Sequence, residues 1–136
     1  MSTDTAVTVV YESTVTAVGS QVEPFLGHGV LIFFGNDAPA ELHDVSVLHH
    51  PTVTDDALRA GDVLHLGDTE LEILAAGDVV ADNMLNLGHF DLKADGRTEA
   101  KLPGDVCVAE RPLPLLAPGD TIRVVRARRG TTEEGS

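Results

Sequence analysis

Residues 62–76 have the sequence DVLHLGDTELEILAA, in which two short runs typical of β-strands flank a Gly-Asp pair. Runs that are β-branched or alternating and bounded by turn residues are the usual sequence signal for strands. Gly67 can adopt the positive φ that tight hairpin turns require. This stretch therefore predicts two strands, residues 62–66 and 69–76, joined by a hairpin over residues 66–69.

The same pattern of short runs separated by glycine continues along the chain. Further strands are predicted at residues 6–18, with a bend near Glu12, and at 30–34, 44–49, 90–93, 105–109 and 121–126. One short helix is predicted at residues 82–87, because Asp82 can cap its start and Gly88 can end it in the left-handed conformation. The fold class is therefore all-β, as a small closed or nearly closed, Greek-key-like β-barrel, since closure removes exposed strand edges. An open two-layer sandwich is the alternative.

The length of 136 residues fits a single hydrophobic core, so we expect one domain over residues 6–128. Residues 1–5 and 130–136 are polar and are expected to be disordered tails. No run approaches the ~20 apolar residues of a membrane helix, and the first residues lack the cationic start of a secretion signal. A cytoplasmic protein is expected.

Charge and cysteine content limit the partners and the metals. Nine Lys and Arg against 22 Asp and Glu give a formal net charge of −13, which repels nucleic acid and anionic lipid. A basic protein partner would suit this surface better. Cys107 is the single cysteine, so neither an intrachain disulfide nor a zinc site with two thiolates can form.

The stretch SVLHHP, residues 46–51, ends a predicted strand in two histidines and a proline. Because strand side chains alternate between faces, His49 shares a face with Val47 and His50 points the other way. Pro51 cannot donate a ladder hydrogen bond, which predicts that the strand ends there or that Pro51 lies at an edge position. His49 is therefore either an ordinary residue at the edge of a buried surface or a reactive group at a barrel mouth.

His89 follows Gly88, a residue that lets a ligand or another backbone approach closely. Its ordinary interpretation is a histidine at a strand start, hydrogen-bonded to a carbonyl. No histidine cluster has metal-ligand spacing, so no metal is expected, although a site assembled from His49, His89 and nearby acids stays an alternative. The common nucleotide-binding and hydrolase motifs are also missing from the sequence, and no cofactor is expected.

Three blocks of sequence resemble the glucitol/sorbitol-specific enzyme IIA component of the bacterial phosphoenolpyruvate-dependent sugar phosphotransferase system (PTS). The first block holds an apolar run, an acidic turn with Ala38-Pro39, and a second run that reaches His49, at residues 30–34, 37–42 and 47–49. The other two occupy residues 81–83, 87–89 and 95–96, and residues 102–106 and 117–120. Together the blocks extend over about residues 7–126.

The resemblance implies a small closed β-barrel and a phosphotransferase with His49 as its phosphohistidine. His49 would accept phosphate from the phosphocarrier protein HPr and pass it to the glucitol-specific IIB component. IIB serves IIC, the membrane partner that imports glucitol/sorbitol or a related polyol. From its Gly-His context, we expect His89 to support the phosphate or the tautomer of His49. The alternative is a non-enzymatic β-barrel module derived from this family, which regulates or binds a ligand.

Overall fold

The computed structural model describes residues 7–127, which form nine β-strands and two α-helices. The ends of the predicted domain and both predicted tails lie outside the described residues. The helices are α1 (Val22–Leu26) and α2 (Val80–Leu87). The strands are β1 (Val7–Val18), β2 (Val30–Gly35), β3 (Val47–Thr54), β4 (Val63–Leu66), β5 (Thr69–Glu72), β6 (Ala75–Ala76), β7 (Phe90–Lys93), β8 (Asp105–Cys107) and β9 (Thr121–Ala127).

All nine strands belong to one curved sheet with the order β5-β4-β9-β1-β3-β2-β7-β8-β6. The two edge strands, β5 and β6, are consecutive in the chain and separated only by Ile73 and Leu74. The Ile73 amide donates to the Asp62 carbonyl (2.9 Å), and the Leu74 amide donates to the Cys107 carbonyl (2.8 Å). The two residues between β5 and β6 are thus hydrogen-bonded to both ends of the sheet. The predicted all-β, nearly closed barrel is confirmed.

The predicted hairpin is present, with Leu66 paired to Thr69 and Gly67 at φ 59°. The single strand predicted over residues 69–76 is wrong, because the chain leaves the ladder at Ile73 and Leu74 and passes from one edge of the sheet to the other. This junction between β5 and β6 is the seam of the barrel. The strand predicted to bend near Glu12 is β1, and its register against β3 shifts between Glu12 and Ser13.

Of the two alternatives predicted for Pro51, the strand end is wrong, since β3 continues to Thr54, and the edge position is confirmed. Pro51 pairs with Ser13 beside that register shift, and β2 pairs with β3 only as far as His49. Beyond His49 the strand therefore has a partner on one side only. A proline is tolerated at such an edge or bulge because its missing N–H breaks no regular ladder.

The single predicted helix corresponds to α2, but it begins at Val80, and Val79 at its N-cap makes no side-chain capping bond. The predicted capping role of Asp82 is therefore wrong. Gly88 ends the helix in the left-handed conformation as predicted, with φ 64°. The short helix α1 and a 3-10 helix at Ala40–Val45 were not predicted, because neither has a capping residue or a full amphipathic period.

The core lies inside the barrel and is made of side chains from most strands. Its largest members are fully buried, and the rings of Phe33 and Phe90 stack at 4.5 Å with an interplanar angle of 7°. Other buried residues are Tyr11, Leu31, Leu64, Leu71, Leu92, Ile122 and Val124. Within residues 7–127, no helix is long and apolar enough to span a membrane.

An ion-pair network built on Arg126 ties β9 to the segment before β4. The Arg126 guanidinium donates to both carboxylate oxygens of Asp62 at 2.9 Å and to Asp56 Oδ2 at 2.7 Å. Asp62 is only 2% exposed. Hydrogen bonds from Arg126 and Arg59 lower the pKa of Asp56 to about 2, and the bond to Asp62 is the main reason why the pKa of Arg126 is raised. The network therefore holds a buried negative charge in place.

Candidate functional site

His49 lies on β3 where that strand is paired on both sides. Its neighbour on β1 is Val15, and its neighbour on the parallel strand β2 is Gly35. The imidazole has no exposed surface, whereas His50 is exposed. The alternation predicted for the two histidines holds at this point. The ring is therefore fixed between three strands, and movement of its surroundings is needed before a partner can reach it.

Both ring nitrogens of His49 are hydrogen-bonded. Nδ1 lies 2.5 Å from Ser13 Oγ, and Nε2 lies 2.7 Å from the Gly88 carbonyl oxygen. A carbonyl oxygen only accepts, so Nε2 carries the proton and donates it to Gly88. The neutral ring then has its lone pair on Nδ1, which accepts from the Ser13 hydroxyl. This pair of contacts selects one tautomer of His49.

The surroundings of the His49 ring favour its neutral form. Tyr11 and Phe33 pack with their rings at steep angles to it, with centroids 6.4 Å and 6.2 Å away. Burial lowers the pKa of His49 below its ordinary value, and the hydrogen bond to Gly88 opposes this only in part. A neutral imidazole is the nucleophilic form, so this environment keeps the ring ready to react near neutral pH.

The Nε2 side of the His49 ring faces glycine backbone, which carries no side chain. A Cβ atom built on Gly88 would lie 2.7 Å from the Gly35 nitrogen and 3.1 Å from His49 Nε2. Gly88 also has φ 64°, a conformation that residues with a Cβ rarely adopt. Glycine at this position therefore lets the end of α2 approach the end of β2 closely enough to contact His49.

Replacing Gly88 by alanine is expected to destabilise the fold by about 1–3 kcal/mol, because the new methyl group collides with backbone that cannot yield easily. Urea denaturation would measure the change. Gly67→Ala is the matched control: Gly67 has a similar φ of 59°, but a Cβ there would meet nothing within 4 Å. Equal losses in the two variants would show that the close approach at Gly88 contributes nothing.

A cavity of about 730 Å³ opens beside His49, between the end of β2, the 3-10 helix and the end of α2. Its wall includes His50, Asp37 and the exposed side chains of Leu85 and Leu87. The remaining lining residues are Phe34, Gly35, Asn36, Ala38, Pro39, Leu42, His49, Pro51, Met84, Asn86 and Gly88. Both His49 and its carbonyl partner Gly88 therefore face this cavity.

His89 lies next to this site, but its contacts are with other groups. Its Nδ1 is 3.1 Å from the Phe33 carbonyl oxygen, and its ring stacks on Phe34 at 4.0 Å. Its Nε2 lies 3.9 Å from Asp91. The nitrogens of His49 are instead contacted by Ser13 and Gly88. Among residues 7–127, no three His, Cys, Asp or Glu side chains gather closely enough to hold a metal ion, so the alternative metal site gains no support.

Two partners of His49 were missed in the sequence. Ser13 is 36 positions away in the chain and belongs to a strand with no motif, and it is the β1–β3 pairing that brings it to the ring. Gly88 was expected to end a helix and to allow close approach, and its amide donates to the Met84 carbonyl within the helix cap. It is the carbonyl of Gly88 that reaches His49.

Comparison with known proteins agrees with this geometry. The family model described as "PTS system glucitol/sorbitol-specific IIA component" matches residues 10–123. The chain belongs to this family. Curated relatives named "PTS system glucitol/sorbitol-specific EIIA component" from Shigella flexneri and Escherichia coli (strain K12) are each 35% identical over 116 residues, covering 85% of this chain and 94% of theirs.

A solved structure supports the same assignment. The crystal structure of the PTS system IIA component from Enterococcus faecalis V583 matches with a TM-score of 0.71 and 28% identity, over 82% of this chain and 96% of that chain. The family resemblance found in the sequence is therefore confirmed. Glucitol/sorbitol IIA components are phosphotransfer proteins that work with other PTS components, which gives this chain a transferase-type role.

Proposed function

We propose that this IIA component accepts a phosphoryl group from phospho-HPr on His49 and passes it to the glucitol-specific IIB component. IIB would in turn serve IIC, which imports glucitol/sorbitol or a related polyol, so that this chain meets the membrane only through IIC and works in the cytoplasm. The observation that carries the proposal is a neutral, rigidly hydrogen-bonded imidazole that faces a cavity.

The arrangement suits phosphoryl relay. The transferred group passes through a loose transition state, so the protein mainly has to align the two nitrogens and exclude water. Tyr11 and Phe33 shield the ring from solvent, and the strands on either side restrict its orientation. A phosphohistidine formed here would be protected from hydrolysis until a partner docks.

His89 has a supporting part in this proposal. Its ring stacks on Phe34, which lines the cavity, and it bonds to the carbonyl of Phe33, whose ring contacts His49. These contacts hold the end of β2 against β7. We therefore propose that His89 supports the phosphate site by fixing the cavity wall.

The acidic surface suits a basic docking face on HPr. The formal net charge is −13, and Asp37 lies on the cavity wall. Opposite charges accelerate the encounter of two proteins, and the acceleration weakens as salt screens it. Transfer from phospho-HPr should therefore slow as ionic strength rises.

If the proposed relay operates, this chain becomes phosphorylated when it is incubated with phosphoenolpyruvate, enzyme I and HPr. Intact mass spectrometry should show one added phosphoryl group, peptide mapping should place it on His49, and added IIB should remove it. Reactions without HPr are the control and should stay unmodified. No adduct, or an adduct on another residue, would contradict the relay and favour a module that only binds or regulates.

A further inference from the structure

Two walls of the cavity beside His49 limit access to its ring. The His49 side chain has no exposed surface, although it lines this cavity. One wall is the end of α2 with Gly88, and the other belongs to the connection between β2 and β3, residues 36–46. Transfer between two proteins requires the reacting atoms to approach within about 3–3.5 Å. One of the walls must therefore move before a donor can reach the ring.

The α2 wall is fixed in the barrel. Val80 and Met84 are each 1% exposed, so they anchor the inner side of the helix in the core. The helix leads through Gly88 towards β7, whose first residue Phe90 is buried and stacks on Phe33. Moving this wall would expose core side chains, which is unfavourable.

The opposite wall has no such anchor over residues 37–42, a segment that we call the flap. Four flap residues line the cavity, and none of the six is buried. Within residues 7–127, the hydrogen bonds of the flap reach no further than residues 35–46. The His43 ring donates to the Ala38 carbonyl at 2.8 Å and ties the two ends of the flap together. Segments with few buried contacts open at low free energy, and this one can move as a unit.

The flap is attached to the barrel through the residues that flank it. On one side the Asn36 amide donates to the His49 carbonyl at 3.1 Å, and the Asn36 side chain accepts from the Thr16 hydroxyl at 2.5 Å. On the other side the Gln21 amide donates to the Asp44 carbonyl at 2.7 Å. The bond between Thr16 and Asn36 is exposed and bridges β1 and the end of β2 across β3. It therefore holds the start of the flap against the strand that carries His49.

We infer that the flap opens to admit the phosphoryl donor to His49, and that the hydrogen bond between Thr16 and Asn36 is the latch that holds it closed. The inference rests on the proposed relay and adds the element that moves. The flap carries the exposed carboxylates of Asp37 and Glu41, so a basic docking face can bind the open form more tightly than the closed form. Such differential binding is what shifts a protein from one state to another. Between transfers the closed flap keeps water away from the phosphorylated ring.

Releasing the latch tests the inference through the sign of its effect. Thr16→Val removes the hydroxyl and keeps the shape of the side chain, so transfer from phospho-HPr should become about threefold faster, the effect of one exposed hydrogen bond. Hydrolysis of the phosphorylated protein should accelerate by a similar factor. Thr16→Ser keeps the hydroxyl and should have the wild-type rates. Thr14→Val changes an exposed threonine of the same strand outside the latch and should alter neither rate.

Distances between spin labels identify the wall that moves. Ala40→Cys on the flap, Ala81→Cys on α2 and Asp68→Cys on the β4–β5 hairpin are combined in pairs and labelled with nitroxides. All three positions are exposed, whereas the native Cys107 is buried. When HPr is added, double electron–electron resonance should show a longer distance between positions 40 and 81 and an unchanged distance between positions 81 and 68. Phosphoryl acceptance by each labelled protein is the control.

Slower or unchanged transfer in Thr16→Val would overturn the latch. Unchanged label distances, or movement of α2 relative to the hairpin, would overturn the flap, and both results leave the relay intact. Absence of phosphate on His49 in wild-type protein would overturn the relay and the inference with it. The label distances decide the matter even if Thr16→Val does not fold.

Discussion

Replacing His49 by glutamine is expected to lower phosphoryl acceptance from phospho-HPr by more than about a thousandfold, as removal of a covalent nucleophile does in other enzymes. Glutamine keeps a polar side chain that can donate to Gly88 but has no ring nitrogen able to bond to phosphorus. The rate of adduct formation, followed by intact mass, would measure the loss.

A second histidine serves as the control for this change. His65 is half-buried on β4, two positions in the sheet order from β1 and three from β3, and it does not line the cavity beside His49. His65→Gln should therefore be phosphorylated at the wild-type rate. An adduct that persists in His49→Gln, with an unchanged thermal unfolding curve, would show that another residue is the acceptor.

Removing the Arg126 guanidinium is expected to have the largest effect on stability. Arg126→Met keeps much of the aliphatic packing but leaves the carboxylate of Asp62 buried and without its charged partner. Breaking a buried pair in this way costs about 3–5 kcal/mol. Urea denaturation at neutral pH would measure the loss as a lower transition midpoint.

An exposed ion pair provides the comparison. Arg123 also lies on β9 and contacts Glu12 at 2.9 Å, but its side chain is 43% exposed. Arg123→Gln should therefore cost no more than about 1 kcal/mol. Adding Asp62→Asn to Arg126→Met should recover part of the loss, because the unpaired charge disappears. A loss of under 1 kcal/mol in Arg126→Met would contradict the importance assigned to the network.

Local sequence signals were sufficient for most strands and for the hairpin, because Gly67 and its flanking runs determine their own conformation. They failed where the partner strand decides the outcome. Pro51 was expected either to stop β3 or to lie at an edge, and the sequence could not choose between the two. The edge position is the one found, because β2 ends its pairing at His49 and the missing N–H of Pro51 affects only the β1 side. The break between β5 and β6 was also missed, since it results from closure of the barrel.

The candidate site, like the fold, was only partly predictable from the sequence. The family resemblance selected His49, and the alternation of side chains separated it from His50. The partners of its ring lie 36 and 39 positions away, and no local pattern at Ser13 or Gly88 indicates that they meet the same imidazole. Those contacts depend on strand register and on the end of α2. The sequence therefore indicates a candidate histidine in this chain but not the groups that select its tautomer.

The position of β3 in the barrel has a consequence for amide hydrogen exchange. β3 is the fifth of nine strands, with four strands on each side before the seam at β5 and β6 is reached. Opening events that begin at the seam must break several ladders before they disturb His49. The strands at the seam can therefore separate transiently while β3 stays paired around His49. The slowest-exchanging amides are expected along β1 and β3.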